Sequence, residues 1–315
     1  MPNVTRLALD RFAHAPGESR RRLGAVGRLV GVFTLVGCGS VINTVGSLGR
    51  WGWNPSPRVT RTDTSFLSSG RRIVVERFAR VAPSPLHLGR RSGHQPVVLV
   101  LHSSAGLLGR SGATVRSVAD AFAEGGSVAY VVHYFDGTGD TRTTDAREDS
   151  VFPAWTAVLR DAVSFSRADA EVDSSRVHAF GISLGGYMAL ALGATDRRVS
   201  RLVVLSGGFF DALAPGVTHL PPTLLMHSDS DHVVPVAAAQ RVDSTLARLR
   251  IPHALGLYRG ASHGLDDYLE VDALRRAFLF LGDKNVARGL LHAGSDGRHE
   301  ALVKGPTSGH QSRMR

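Results

Sequence analysis

The sequence predicts an α/β domain, a mostly parallel central sheet with helices on both faces, over most of its 315 residues. Three observations carry that expectation. Apolar runs of strand length, such as residues 96–101 (PVVLVL), lack the in–out alternation of a half-exposed strand and read as strands buried on both faces. These runs alternate with segments whose apolar residues recur at helical spacing, the order that calls for parallel pairing through crossover helices. Between one such run and the helix after it stands Gly181-Ile182-Ser183-Leu184-Gly185, a sharp strand-to-helix turn.

In chain order, residues 58–67 and 72–81 are β-prone runs joined by Ser68-Ser69-Gly70, an antiparallel hairpin ahead of the α/β body. Residues 96–101 follow as a buried strand, and Val115, Val118, Ala119 and Phe122 then mark a helix face. Residues 128–134 read as a strand, and Trp155, Val158, Leu159, Ala162 and Phe165 line one face of a helix over 152–171. Strands at 176–182, 202–205, 223–226 and 253–258 alternate with helices at 184–194, 236–249 and 266–281, the strands at 202–205 and 223–226 following one another directly. No internal repeat is present. The insertions at 134–152 and 207–221 are each too short for a helical cap, so the site is expected to be open, without a cap domain, favouring small or exposed acyl groups.

The formal charge of +10 first suggests nucleic acid or a membrane surface. The charge sits at the ends. Residues 1–57 hold seven arginines against two acids, and residues 284–315 hold six basic residues against two acids. Between them 24 arginines meet 23 acids, so the folded part offers no basic face and nucleic-acid binding is not expected. With 35 arginines and only 2 lysines, the basic residues follow a codon bias rather than a phosphate-binding design. The single cysteine excludes a disulfide framework and a zinc site built on several thiolates.

That cysteine has a particular position. Ser19-Arg20-Arg21-Arg22-Leu23 precedes a short apolar run at 29–37 and then Cys38, the order of a secretory signal, and the run is about half the length of a membrane span. Leu35-Val36-Gly37-Cys38 resembles the lipobox of bacterial lipoproteins, and Ser19-Arg20-Arg21 resembles a twin-arginine export signal. The resemblance implies cleavage before Cys38, a lipid on its sulfur and an exported, membrane-anchored protein; the competing reading is a buried core cysteine in a cytoplasmic protein. The expected organisation is a leader at 1–38, a linker at 39–57, the α/β domain at 58–283 and a flexible basic tail at 284–315.

Ligands of such sheets bind beyond the carboxyl ends of the strands. There the sequence places Ser183, the loop 227–235 (HSDSDHVVP) and the loop 259–264 (RGASHG). A serine hydroxyl needs an adjacent base, and the base needs an orienting acid, in the chain order Ser, acid, His for this turn type. Gly260-Ala261-Ser262-His263-Gly264 also fits the glycine–serine spacing, but no acid-then-histidine order follows Ser262. Asp229 and Asp231 are both candidates for the acid; Asp229 reads better as a turn residue capping its own loop. His227, Asp229, Asp231 and His232 are read as an ordinary polar loop rather than a metal cluster, and no cofactor is expected. His102 and His133 read as hydrogen-bonded supporting or core residues, Phe209 and Phe210 as packing with the acyl pocket as an alternative, and Asp136-Gly137-Thr138-Gly139-Asp140 as a polar turn.

Residues 58–283 resemble the α/β-hydrolase fold, specifically the dienelactone-hydrolase-like branch of small, lidless members. Residues 97–106 (VVLVLHSSAG) resemble its early strand and oxyanion loop, 181–186 its elbow, 222–235 its acid loop and 258–264 its histidine loop. The resemblance assigns the acid to Asp231, so the expected triad is Ser183, Asp231 and His263. Two backbone N–H donors would hold the oxyanion, one from Leu184 and one from Ser104, with Ser103 left open as its neighbour. Two departures stand out. The name-giving enzymes carry a cysteine where this chain has Ser183, and an arginine for the substrate carboxylate where it has Gly264-Leu265-Asp266-Asp267. The expected function is cleavage of small carboxylic esters through an acyl-enzyme. The alternatives are a peptidase or acyltransferase with the same triad, or a catalytically silent binding protein.

Overall fold

A computed structural model describes residues 55–81, 94–263, 267–282 and 301–304. The expected leader, Cys38 and most of the linker lie outside these residues, as does the tail apart from 301–304. The hairpin comes first: β1 (Val59–Ser68) pairs antiparallel with β2 (Arg71–Arg80) across Ser69-Gly70, both at positive φ, the two-residue turn whose twist matches paired strands.

β3 (Gln95–Leu101), α1 (Gly109–Glu124), β4 (Val128–Val132), α2 (Asp145–Arg167), β5 (Val172–Ile182) and α3 (Leu184–Thr195) follow. β6 (Val199–Leu205), β7 (Thr223–Ser228), α4 (Ala237–Arg248), β8 (His253–Arg259) and α5 (Asp267–Gly282) complete the alternation. The nine-stranded sheet runs β1-β2-β4-β3-β5-β6-β7-β8-β9. β2 meets β4 antiparallel, and every pairing from β4 onward is parallel. The α/β architecture expected from the sequence is thus the observed one.

Strand order decides where a ligand can sit. From β3 the chain crosses to β4 on one side and then to β5 on the other, so the connections leave β3 in opposite directions. The crevice at that switch point opens beyond the carboxyl ends of β3 and β5. Those ends are in register, Leu101 opposite Gly181, which puts the loop after β3 beside Ser183.

The pleat sorts the core into two layers. Val97, Leu99 and Leu101 face one side with Trp155 and Leu159 of α2, Met188 of α3 and Val242 of α4. Val98 and Val100 face the other with Val118 and Phe122 of α1 and Ala277 and Phe280 of α5.

Several bounds differ from the sequence reading: β5 starts at Val172 rather than 176 and β6 at Val199 rather than 202. α2 runs Asp145–Arg167 rather than 152–171, with Pro153 inside it. The apolar face that marks the helix in sequence begins only at 152, while residues 145–151 are mostly polar; the first turn has Asp145 and Glu148 near its N–H groups. Residues 301–304, within the stretch read as a tail, form β9 (Ala301–Lys304) parallel to β8. Four residues are too few for a period to register in sequence.

One buried ion cluster ties the hairpin to the body. Glu76 of β2 is 1% exposed and meets both Arg116 of α1 and His133 after β4, with Arg61 of β1 at 3.2 Å. Burial alone would raise its pKa, but the hydrogen bonds from His133 and Arg116 and the charges of Arg116 and Arg61 prevail and hold it down to about 2. Because the folded value lies below the unfolded one, this stabilisation is full above pH ~4.5 and lost as pH falls toward 2; it is worth on the order of 3 kcal/mol. Glu76→Gln is therefore expected to lower the urea-unfolding free energy at pH 7. The gap to the native chain should close as pH falls through that window, and a gap independent of pH would refute the assignment.

Candidate active site

Ser183 occupies the single residue between β5 and α3, at φ 56° and ψ −124°. A residue with a Cβ rarely adopts such a conformation, at a cost of about 1–3 kcal/mol, and it persists only where surrounding contacts determine it. Here Ser183 N–H donates to Leu205 O at 2.9 Å, and its carbonyl accepts from Gly186 N–H at 2.7 Å. The flanking glycines are required by close approach. A Cβ on Gly181 would lie 2.0 Å from Gly185 O, and one on Gly185 would lie 2.2 Å from Leu101 O. Both obstacles are backbone and cannot swing aside. Gly185→Ala is expected to destabilise the fold by about 1–3 kcal/mol or more in urea unfolding. It should also slow fluorophosphonate labelling of Ser183, since the elbow would shift from the end of β3; labelling at the native rate would contradict this.

The serine is met from two other loops. His263 Nε2 lies 3.0 Å from Ser183 Oγ, and His263 Nδ1 lies 2.7 Å from Asp231 Oδ2. Asp231 Oδ1 accepts the N–H groups of Val233 and Val234, each at 2.9 Å, so the carboxylate is satisfied on both oxygens. Burial would raise Asp231; the hydrogen bonds from His263, Val234 and Val233 outweigh it and hold the carboxyl below its ordinary range. Hydroxyl, imidazole and ionised carboxylate thus form one hydrogen-bonded chain, the geometry that activates an oxygen nucleophile.

Further contacts hold these loops. Asp229 Oδ1 accepts Gly260 N–H at 2.8 Å and Asp229 N–H donates to Tyr258 O at 3.1 Å, which couples the acid loop to the histidine loop. Ser206, at φ 52° beyond β6, donates through Oγ to His263 O at 3.1 Å. Beyond β3, His102 is buried and neutral, its pKa lowered to about 3 by desolvation, and its Nδ1–H donates to Ser103 O at 2.9 Å. Tyr134 stacks on the His102 ring at 4.0 Å and donates its hydroxyl to His102 O at 2.7 Å. Thr143 N–H donates to Ser104 O at 2.9 Å, so the segment before α2 braces the same loop. Leu184 opens α3 and its N–H has no intrahelical acceptor one turn back.

A family model for the dienelactone hydrolase family matches residues 86–270, more than half of the chain. The chain belongs to the dienelactone hydrolase family. Among solved structures, a dienelactone hydrolase-like promiscuous phosphotriesterase from metagenomic libraries shares 20% identity at TM-score 0.59, over 74% of this chain and 99% of that one. A puromycin-hydrolyzing peptidase of Mycobacterium tuberculosis shares 18% identity at TM-score 0.57, over 72% of this chain and 40% of that one. The acylaminoacyl peptidase of Pyrococcus horikoshii shares 14% identity at TM-score 0.55, over 70% and 40%. At these identities the structures are alike in fold. No curated protein sequence matches the chain.

In this family member the structure brings together Ser183, Asp231 and His263, the three residues singled out in the sequence. Leu184 and the Ser103-Ser104 pair flank the switch-point crevice through the adjacency of β3 and β5. Asp229 faces Gly260 rather than His263, and His232 is exposed. Phe209 and Phe210 are buried, Phe210 stacked on Phe152 at 4.3 Å. His133 joins the Glu76 cluster. Cys38 and residues 264–266 lie outside the described residues. Sequence reading passed over Ser206, whose only signal is a Ser-Gly-Gly run directly after a strand.

Proposed function

We propose that this chain is a serine hydrolase of small carboxylic esters, working through an acyl-enzyme. The observation that carries the proposal is the unbroken Ser183–His263–Asp231 hydrogen-bonded chain, assembled at a strained elbow. Ser183 Oγ attacks the ester carbonyl carbon while His263 Nε2 takes its proton; His263 returns that proton to the departing alcohol, and a water then repeats the sequence to release the acid. Asp231 holds the imidazole with Nδ1 protonated and stabilises the imidazolium. The N–H of Leu184 and that of Ser104 receive the tetrahedral oxyanion; each such donor is worth about 2.7–4 kcal/mol of barrier. No cofactor takes part.

The test uses the full chain on three probes sharing one chromophore: short p-nitrophenyl esters, a p-nitrophenyl phosphotriester and an aminoacyl p-nitroanilide. Esters are expected to turn over fastest, with a burst near one nitrophenolate per chain and stoichiometric fluorophosphonate labelling. Preferential anilide turnover would make it a peptidase. No turnover together with no labelling would leave a binding protein on this fold.

We also propose export with a lipid on Cys38, supported by its place after the arginine cluster and the apolar run. Palmitate label in cells is expected to vanish in Cys38→Ala. Label retained there refutes the anchor.

A further inference from the structure

We infer that His227 is a positioning residue for the Asp231 carboxylate, a second imidazole that works only while neutral. The inference rests on the hydrolase reading and deepens it. His227 is the penultimate residue of β7, inside the sheet and fully buried. Its Nε2 lies 2.8 Å from Val234 O and 3.4 Å from Asp231 Oδ2. The Val234 carbonyl can only accept, so Nε2 carries the proton and the ring is a donor there. Two imidazoles thus address the same carboxylate oxygen: His263 at 2.7 Å, poised to carry a charge, and His227 at 3.4 Å from the strand side.

His227 also closes the loop that makes the carboxylate's other contacts. Its hydrogen bond to Val234 O spans seven residues, and the N–H of that same Val234, with that of Val233, holds Asp231 Oδ1. One ring therefore bears on both oxygens, on Oδ2 by direct approach and on Oδ1 through the loop. Without it, the acid loop keeps the couplings through Asp229 to Tyr258 and Gly260, through Ser228 to Ala261 and through Asp231 to His263, and its end is held by Ala238 N–H on Pro235 O. The His227 contact is the one that ties the Val234 carbonyl back to β7, the strand that carries the loop.

The other ring nitrogen shows why charge matters. His227 Nδ1 is buried and has no hydrogen-bond partner among the described residues. A protonated ring would place a second N–H there with nothing to accept it, in surroundings that already disfavour its charge. The orphan nitrogen thus keeps His227 neutral. That leaves the full charge of Asp231 for the His263 imidazolium formed during catalysis. A cationic residue at 227 would compete for it; a neutral donor does not.

The test compares His227→Leu, which keeps bulk but donates nothing, with His227→Gln, a neutral donor, in the full chain. His227→Leu is expected to lose kcat toward a p-nitrophenyl ester on the order of a hundredfold, the scale of a small misplacement of a reacting group, with KM changed little. Its thermal midpoint is expected to fall by a few degrees, because Val234 O loses its donor, and His227→Gln should restore most of that shift. His227→Gln should recover most of the loss. A second readout needs no turnover: the downfield proton resonance of the His263 Nδ1–H bonded to Asp231 should broaden or move upfield in His227→Leu and return in His227→Gln. Native kcat and resonance in His227→Leu would overturn the inference, as would equal losses in the two variants. A native chain that hydrolyses no ester, yet shows the resonance change, would refute the hydrolase reading while sustaining the positioning role.

Discussion

Ser183→Ala is expected to lower kcat toward short esters by about a millionfold, leaving the residual rate that an oxyanion site and binding alone supply. The substitution removes one oxygen and with it the hydroxyl that donates to His263 Nε2 at 3.0 Å. It leaves the backbone problem unchanged, because alanine at φ 56° bears the same Cβ strain as serine. The variant should therefore unfold close to the native midpoint while failing to react with a fluorophosphonate. That combination separates loss of the nucleophile from loss of the fold. Turnover within tenfold of native, in material free of contaminating esterase, would remove Ser183 from the mechanism.

Asp231→Asn is expected to cost about ten-thousandfold in kcat with little change in KM. Val233 and Val234 both donate to Asp231 Oδ1, so an asparagine keeps its carbonyl oxygen there and turns its amide toward His263. Facing a donor instead of an acceptor, His263 Nδ1 must give up its proton, and the proton moves to Nε2. A protonated Nε2 can no longer accept from Ser183 Oγ. The paired control is Asp229→Asn, two residues away, whose side chain holds Gly260 N–H and does not touch His263. It should reduce kcat less than tenfold. Similar losses in the two variants would mean that the loop as a whole matters and that Asp231 has no special role.

Much of the fold could be read from the chain because its strands are locally distinctive. Residues such as Val98, Leu99 and Val100 are buried on both faces of the sheet and are apolar without alternation. Boundaries were less legible. The first turns of α2 are not legible because residues 145–151 (DAREDSV) are mostly polar and carry no apolar face, whereas the packing of Phe152, Trp155 and Leu159 against the sheet keeps the helix running through Pro153. β9 left no trace in sequence, since edge pairing uses backbone groups that every residue carries.

The site divides along the same line. Chain order and position at strand ends determined the residue types available: a serine in a glycine-lined turn, an acid loop, a histidine loop. Choosing Asp231 over Asp229 took the resemblance to a family. Only the tertiary structure set the distances that make these residues one unit, joining Ser183 to His263 across 80 positions and Asp231 to His263 across 32. It also recruited Ser206 to the backbone of His263 and His227 to the carboxylate of Asp231. No local pattern could announce either contact. A periodicity records which way a side chain points from its own strand, whereas a hydrogen bond depends on what the neighbouring strands bring to meet it.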